Sequence, residues 1–259
     1  TEIYTLSLHD ALPISAIVAA AAGVNVAKHG NRSVSSKCGS ADVLQALGVN
    51  IHLTPQQAEL CLQETGLTFL FAPIHHASMK HAAVPRKEIG IRTAFNVLGP
   101  MSNPANTRRQ VIGSFSRETA AKMVRVLQKL GSTHVLLIHS HDGMDEFSLK
   151  APTHVDELLD GEIKSYDVYP QDLGLAGSDT GCLSGAEAGE NARIIRQVLA
   201  GQTRAEEQVT ALNAGAAIYV AGQADSLQEG MEKACASIRS GAAADKLAEW
   251  ITYTQQFTN

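Results

Sequence analysis

Apolar positions in this chain come in short runs broken by glycine and by capping residues. Ser15 to Ala22 is a run of small residues that Gly23 stops, predicting a helix, and Val24 to Ala27 predicts a short buried strand. Ser40 stands where an N-cap opens a helix through Leu47, with Gly48 as its stop. Thr54 and Pro55 with Gln57 supply an N-cap, an N1 proline and a capping box for a second helix to Thr65, which Gly66 ends. Thr68 to Phe71, Val111 to Phe115 and Val135 to Ile138 predict strands. The last two are separated by a helix from Glu118 to Leu130 that Ser116 caps and Gly131 terminates.

Strands alternating with helices predict an α/β fold with a mostly parallel sheet covered by helices on both faces. A strand from Lys164 to Tyr169 closes this region. Beyond it the pattern is helical: Ala186 to Ala200, Arg204 to Val220 opened by a capping box of Thr203 and Glu206, Leu227 to Ile238, and Lys246 to Phe257. No internal repeat or low-complexity linker interrupts it. With 259 residues, 44% of them hydrophobic, the chain can bury a substantial core in one large domain.

Charge narrows the function classes. A net charge of −5 gives no overall attraction for nucleic acid or for an anionic membrane, so donor-rich stretches must be read locally. The longest apolar run, Ala16 to Ala22, is far below the ~20 residues that span a bilayer. Cys38, Cys61, Cys182 and Cys235 are far apart and form no CxxC pair, which suits reduced, buried thiols in a cytoplasmic protein.

Residues 1–14, TEIYTLSLHDALPI, begin without methionine and carry Glu2 and Asp10 but no basic leader region, so they predict neither a secretory signal nor a helix. The string is similar to the conceptual translation of a sequencing adaptor. The expected organisation is therefore a foreign segment over 1–14 and an α/β domain over 15–259.

Three stretches carry candidate chemistry. KHGNRSVSS, Lys28 to Ser36, combines a glycine-containing turn, the Lys28 ammonium and the hydroxyls of Ser33, Ser35 and Ser36. Such a concave set of donors suits a phosphate, though a solvated polar loop has the same composition. FAPIHHASMKHAAVPRKEIGIRTAFNVLGPMSNPA, from Phe71 to Ala105, sets His75, His76, Lys80, His81, Arg86 and Arg92 among apolar residues. His76 and His81 are five apart with no acid between them, unlike the i, i+4 pair of a zinc helix. A carboxylate-bearing aromatic ligand fits better: Arg86 offers a planar fork, and imidazole edges and the Pro100 ring offer flat walls. An ion pair of Arg86 with Glu88 is the plainer alternative. HSHDGMDEFS, His139 to Ser148, follows an apolar strand, and the adjacent Asp145 and Glu146 are hard oxygen ligands suited to Mg²⁺, or else solvated surface charge.

KHGNRSVSS, FNVLGPMSNPA and DGMDE, in this order and at these separations, resemble the anthranilate phosphoribosyltransferase family from about Ser15 to the end. The resemblance implies a nucleoside-phosphorylase-like α/β domain, a small helical N-terminal domain not seen in this sequence, and usually a homodimer. It implies that Lys28, Asn31 and the Ser33 to Ser36 loop, with Ser35 in it, hold phosphoribosyl pyrophosphate. Asp145 and Glu146 would bind Mg²⁺ on the pyrophosphate. His29, Asn31, His76, Arg86 and Pro100 would line the anthranilate path, with no dedicated catalytic acid or base. The family's glycine-rich Gly-Thr-Gly-Gly-Asp loop is expected just before Ser15, where the adaptor-like string stands instead, so this chain is expected to be impaired in turnover. A pyrimidine nucleoside phosphorylase of similar fold, and a non-catalytic nucleic-acid-binding relative, are the alternatives.

Overall fold

The computed structural model of the protein describes residues 4–7, 12–32, 38–76, 95–175 and 187–257. Among the described residues seven strands build one sheet: β1 (Tyr4–Ser7), β2 (Val26–Gly30), β3 (Leu67–Phe71), β4 (Arg109–Gly113), β5 (His134–Ser140), β6 (Thr153–Leu159) and β7 (Glu162–Val168). Their spatial order is β3-β2-β1-β4-β5-β6-β7. From β3 across to β5 every pairing is parallel, and β6 and β7 are added antiparallel at one edge. The helices are α1 (Leu12–Ala21), α2 (Ser40–Leu47), α3 (Pro55–Thr65), α4 (Ala72–His75), α5 (Phe95–Met101), α6 (Arg117–Lys129), α7 (Ala188–Leu199), α8 (Arg204–Val220), α9 (Leu227–Arg239) and α10 (Ala242–Gln255).

Strand alternation divides the core between two faces. On β5, Leu136 and Ile138 join the large cluster with α1, α8 and α9, whereas Val135 and Leu137 turn to the opposite face. There they meet Ala120, Met123, Val124 and Leu127, the i, i+3, i+4, i+7 stripe of α6. Each fully buried leucine or valine stabilises the sheet by roughly 1.5–3 kcal/mol, which explains near-continuous apolar strands in a doubly covered sheet. The Ser116 side chain accepts from the Thr119 N–H, and Thr54 does the same for Gln57 in a complete capping box.

Several expectations need correction. The first helix starts at Leu12 instead of Ser15, and Tyr4–Ser7 pairs with β2 on one side and β4 on the other, so regular structure reaches into the segment set aside above. The β2 strand runs to Gly30, later than Ala27, and β4 ends at Gly113, before Phe115. Gly39, not Ser40, is the N-cap of α2, and its N–H donates to Asp42. Thr203 precedes α8 without forming a side-chain cap. The β6 strand was not anticipated, because its polar residues are buried through partners: Asp156 accepts from Ser165, and Glu157 meets His134. Gly99 and Pro100, a pair that ordinarily ends helices, lie inside α5. Among the described residues no helix is long and apolar enough to cross a membrane.

Candidate active site

The site lies beyond the C-terminal ends of the parallel strands, where open α/β sheets leave their crevices. Lys28 is the third residue of β2 and is 1% exposed. Burial lowers its pKa to about 8, against a partial restoring pull from Glu146 and then Asp145. Residues far apart in sequence thus meet: the lysine of the first stretch lies within electrostatic reach of both acids of the third. Glu146 is buried and Asp145 half-buried.

The loop that presents these acids is closely held. Asp142 accepts from the Ser148 hydroxyl at 2.6 Å and from the Met144 N–H at 3.3 Å, while the Ser140 N–H donates to the Met144 carbonyl. Burial pushes the Asp142 carboxyl up, but hydrogen bonds from Ser148, Ser140 and the loop amides outweigh it and leave it below the usual range. At the end of β4, Gly113 abuts the backbone of Asp145, and a Cβ there would overlap the Asp145 carbonyl oxygen. His139 Nδ1 donates to the Ser114 carbonyl at 2.9 Å, tying β5 to the chain leaving β4.

Beside Lys28 is a histidine cluster. His29 on β2 and His76 after α4 meet edge to face with centroids 4.6 Å apart. Burial, then His76, Lys28 and His75, lower the His29 pKa to about 3, so its ring is neutral at pH 7. Burial also lowers His75 and His76, with a hydrogen bond to the Leu53 backbone opposing it at His75. The Nε2 atoms of all three rings are buried without a hydrogen-bond partner among the described residues. Three such nitrogens side by side mark a place where a ligand's polar groups are expected.

Asn31 is exposed at the end of β2, where its side chain accepts from the Arg32 N–H at 2.8 Å and its carbonyl from the Ala41 N–H. Arg32 reaches Asp42 at 2.7 Å and Gln45 at 2.8 Å on α2, with its guanidinium 5.8 Å from the Phe71 ring centre. These contacts fix the start of the donor-rich loop. Asn103 turns the chain after α5 by accepting from the Ala105 N–H, and donates to the Ala27 carbonyl on β2. Pro100 belongs to α5. Ser33, Ser35, Ser36, His81 and Arg86 lie outside the described residues.

Lys28, Asp145, Glu146, His29 and His76 are therefore gathered at one end of the sheet. The sequence places His75 in the second stretch without assigning it a role of its own, and it gives no place to Asn213, which bonds the backbone of Phe147 from α8. A lone amide in the alanine-rich ALNAGAA stretch is the available signal, since a polar residue buried among apolar ones needs a partner. The donor set fits a hard cation: two carboxylates on a fixed loop beside a lysine. Among the described residues no three His, Cys, Asp or Glu side chains converge to hold an ion alone, and Mg²⁺ characteristically takes only one or two carboxylates beside phosphate oxygens.

Residues 13–244 match the model of the glycosyl transferase family, a/b domain. The anthranilate phosphoribosyltransferase of Thioalkalivibrio sulfidiphilus is 51% identical over 240 residues, 93% of this chain and 71% of that protein. The crystal structure of the Thermus thermophilus enzyme of the same name superimposes with a TM-score of 0.90 at 38% identity, over 98% of this chain and 78% of that one. The Saccharomyces cerevisiae enzyme in complex with PRPP and Mg gives a TM-score of 0.88 at 26% identity, over 99% and 74%. In complex with 4-fluoroanthranilate it gives 0.86 at 25%, over 99% and 74%. By its family model, its half-identical relative and the shared architecture, this chain belongs to the anthranilate phosphoribosyltransferase family.

Proposed function

We propose that the protein transfers the phosphoribosyl group of phosphoribosyl pyrophosphate to the amine of anthranilate, releasing pyrophosphate, in tryptophan biosynthesis. The observation that carries this reading is that Lys28, Asp145 and Glu146 lie within electrostatic reach of one another next to three buried imidazoles whose Nε2 atoms have no hydrogen-bond partner among the described residues. One subsite suits a polyphosphate and its cation, the other an aromatic amine. Every relative and neighbour named above is an anthranilate phosphoribosyltransferase, which speaks against the phosphorylase and nucleic-acid-binding alternatives.

Lys28, Asn31 and the Ser33, Ser35 and Ser36 hydroxyls hold the phosphates and ribose. Asp145 and Glu146 hold Mg²⁺, which when bound neutralises charge on the departing pyrophosphate. His29, Asn31, His76, Arg86 and Pro100 line the anthranilate path, with Arg86 on the carboxylate. The bond from ribose C1 to the pyrophosphate oxygen breaks as the amine nitrogen bonds to C1, and the nitrogen then loses a proton. An aniline nitrogen is already neutral at pH 7, so no strong base is required, and positioning supplies the acceleration. Neutral histidines suit this role, because a charged ring at His29 would repel Lys28. The reading extends to a cytoplasmic homodimer, which ultracentrifugation would register.

Incubating the purified chain with both substrates and Mg²⁺ and following N-(5-phosphoribosyl)anthranilate tests the proposal. Asp145→Asn is expected to lower kcat/KM by on the order of 10²-fold. Arg86→Ala is expected mainly to raise the anthranilate KM, since it removes a contact made equally in ground and transition states. A normal anthranilate KM in that variant rules out the Arg86 role.

A further inference from the structure

Asn213 lies on α8, far in sequence from every stretch considered above, and is fully buried. Its Oδ1 accepts from the Phe147 N–H at 3.0 Å, and its Nδ2 donates to the Phe147 carbonyl at 3.2 Å and to the Val209 carbonyl at 2.9 Å. One amide thus satisfies both backbone groups of the residue that directly follows Asp145 and Glu146. The contact of Gly113 with the Asp145 backbone restrains the preceding side of the same segment.

The helix that carries Asn213 is itself firmly seated. Two residues on, Gly215 packs against Gly230 and Met231 of α9 so closely that a Cβ on either glycine would overlap the other helix's backbone. At the far end of α8, the Arg109 guanidinium on β4 donates to the Val220 carbonyl at 2.8 Å. The position of Phe147 is therefore referred to a helix locked to both its neighbour and the sheet.

We infer that Asn213 is a positioning residue that sets the Asp145 and Glu146 carboxylates for the cation of the phosphorylated substrate. The inference rests on the reading that these two acids take Mg²⁺. Only an amide can accept and donate at once with the shape the Phe147 backbone requires, so leucine of similar volume loses both contacts. Displacements of about 1 Å at such a site are worth on the order of 10²-fold in function.

Mn²⁺ binding to the 259-residue chain in the presence of phosphoribosyl pyrophosphate, read by electron paramagnetic resonance, tests it. Asn213→Leu should weaken Mn²⁺ at least about tenfold at a temperature where the variant is folded, and leave the affinity for anthranilate within about twofold. A purely structural role would lower the melting temperature and leave the affinity of the folded fraction unchanged. Unchanged Mn²⁺ affinity in the variant overturns the inference alone, and no Mn²⁺ binding by the wild type overturns it together with the metal reading. Amide exchange at Phe147 in the wild type serves if the variant does not fold. Slowing on addition of metal and substrate supports the coupling, and an unchanged rate refutes it.

Discussion

At the scale of the residue, Lys28 and His29 show how burial selects protonation states. Lys28 loses its proton near pH 8 in the fold, against the ordinary 10.5 of an exposed lysine. Between these values the unfolded chain binds more protons than the folded one, so the Lys28 contribution to stability becomes more favourable as pH rises from about 8 to 10.5. The unfolding free energy of the wild type relative to Lys28→Met should therefore climb by roughly 3 kcal/mol over that window. Denaturant titrations at stepped pH check this, and a flat difference would place Lys28 in water. His29 is the corresponding case on the acid side. Its contribution is complete above pH 6.5 and declines as pH falls toward 3, and ring NMR shifts should report a midpoint near 3 instead of 6.5.

At the scale of the element, α8 links the site to the scaffold. It opposes the direction of the parallel strands, with Asn213 toward the carboxylate loop and Val220 toward the start of β4. Its alanine and glycine content reads as unremarkable helix, yet Gly215 is required because another backbone lies where a Cβ would be. Gly215→Ala removes a helix-destabilising residue, which alone would help by roughly 1 kcal/mol, but forces α8 and α9 apart. Overpacking of this kind costs about 1–3 kcal/mol, so the net expectation is a melting temperature lower by several degrees. Calorimetry decides, and an unchanged or raised value would mean that the crossing yields easily.

At the scale of the whole molecule, the sheet separates two polar centres. The site lies beyond the strand C-termini, whereas His134, the first residue of β5, belongs to a network on Glu157 with Tyr166 and Tyr219. Burial works to raise the Glu157 carboxyl, and hydrogen bonds from His134, Tyr219 and Tyr166 hold it below the usual range nonetheless. A depressed carboxylate stabilises the fold above its unfolded pKa, and that stability is lost as pH falls through the folded value. Tyr219→Phe should cost about 1–2 kcal/mol near neutral pH and lose less on acidification than the wild type. Its KM for phosphoribosyl pyrophosphate should not move, because the network is at the opposite end of β5. Paired stability and kinetic measurements separate these outcomes.

Most of the architecture was legible locally. Glycine stops, the Thr54 and Ser116 caps and apolar strands of period too short for helices are decided within a few residues, so the α/β alternation follows from the sequence alone. The composition of the three chemical stretches was legible too, but residue types alone fit a phosphate, a cation and an aromatic ligand no better than a solvated loop, surface charge and an ion pair until the three were taken together. What only the tertiary structure decided is proximity. The meeting of Lys28 with Asp145 and Glu146 depends on the spatial order of β2, β1, β4 and β5, which no local pattern encodes. The β6 strand escaped notice because its buried polar residues have cross-strand partners that exist only once the sheet forms. Asn213 escaped for the same reason: a buried amide takes its meaning from the backbone it bonds, and that backbone is 66 residues away.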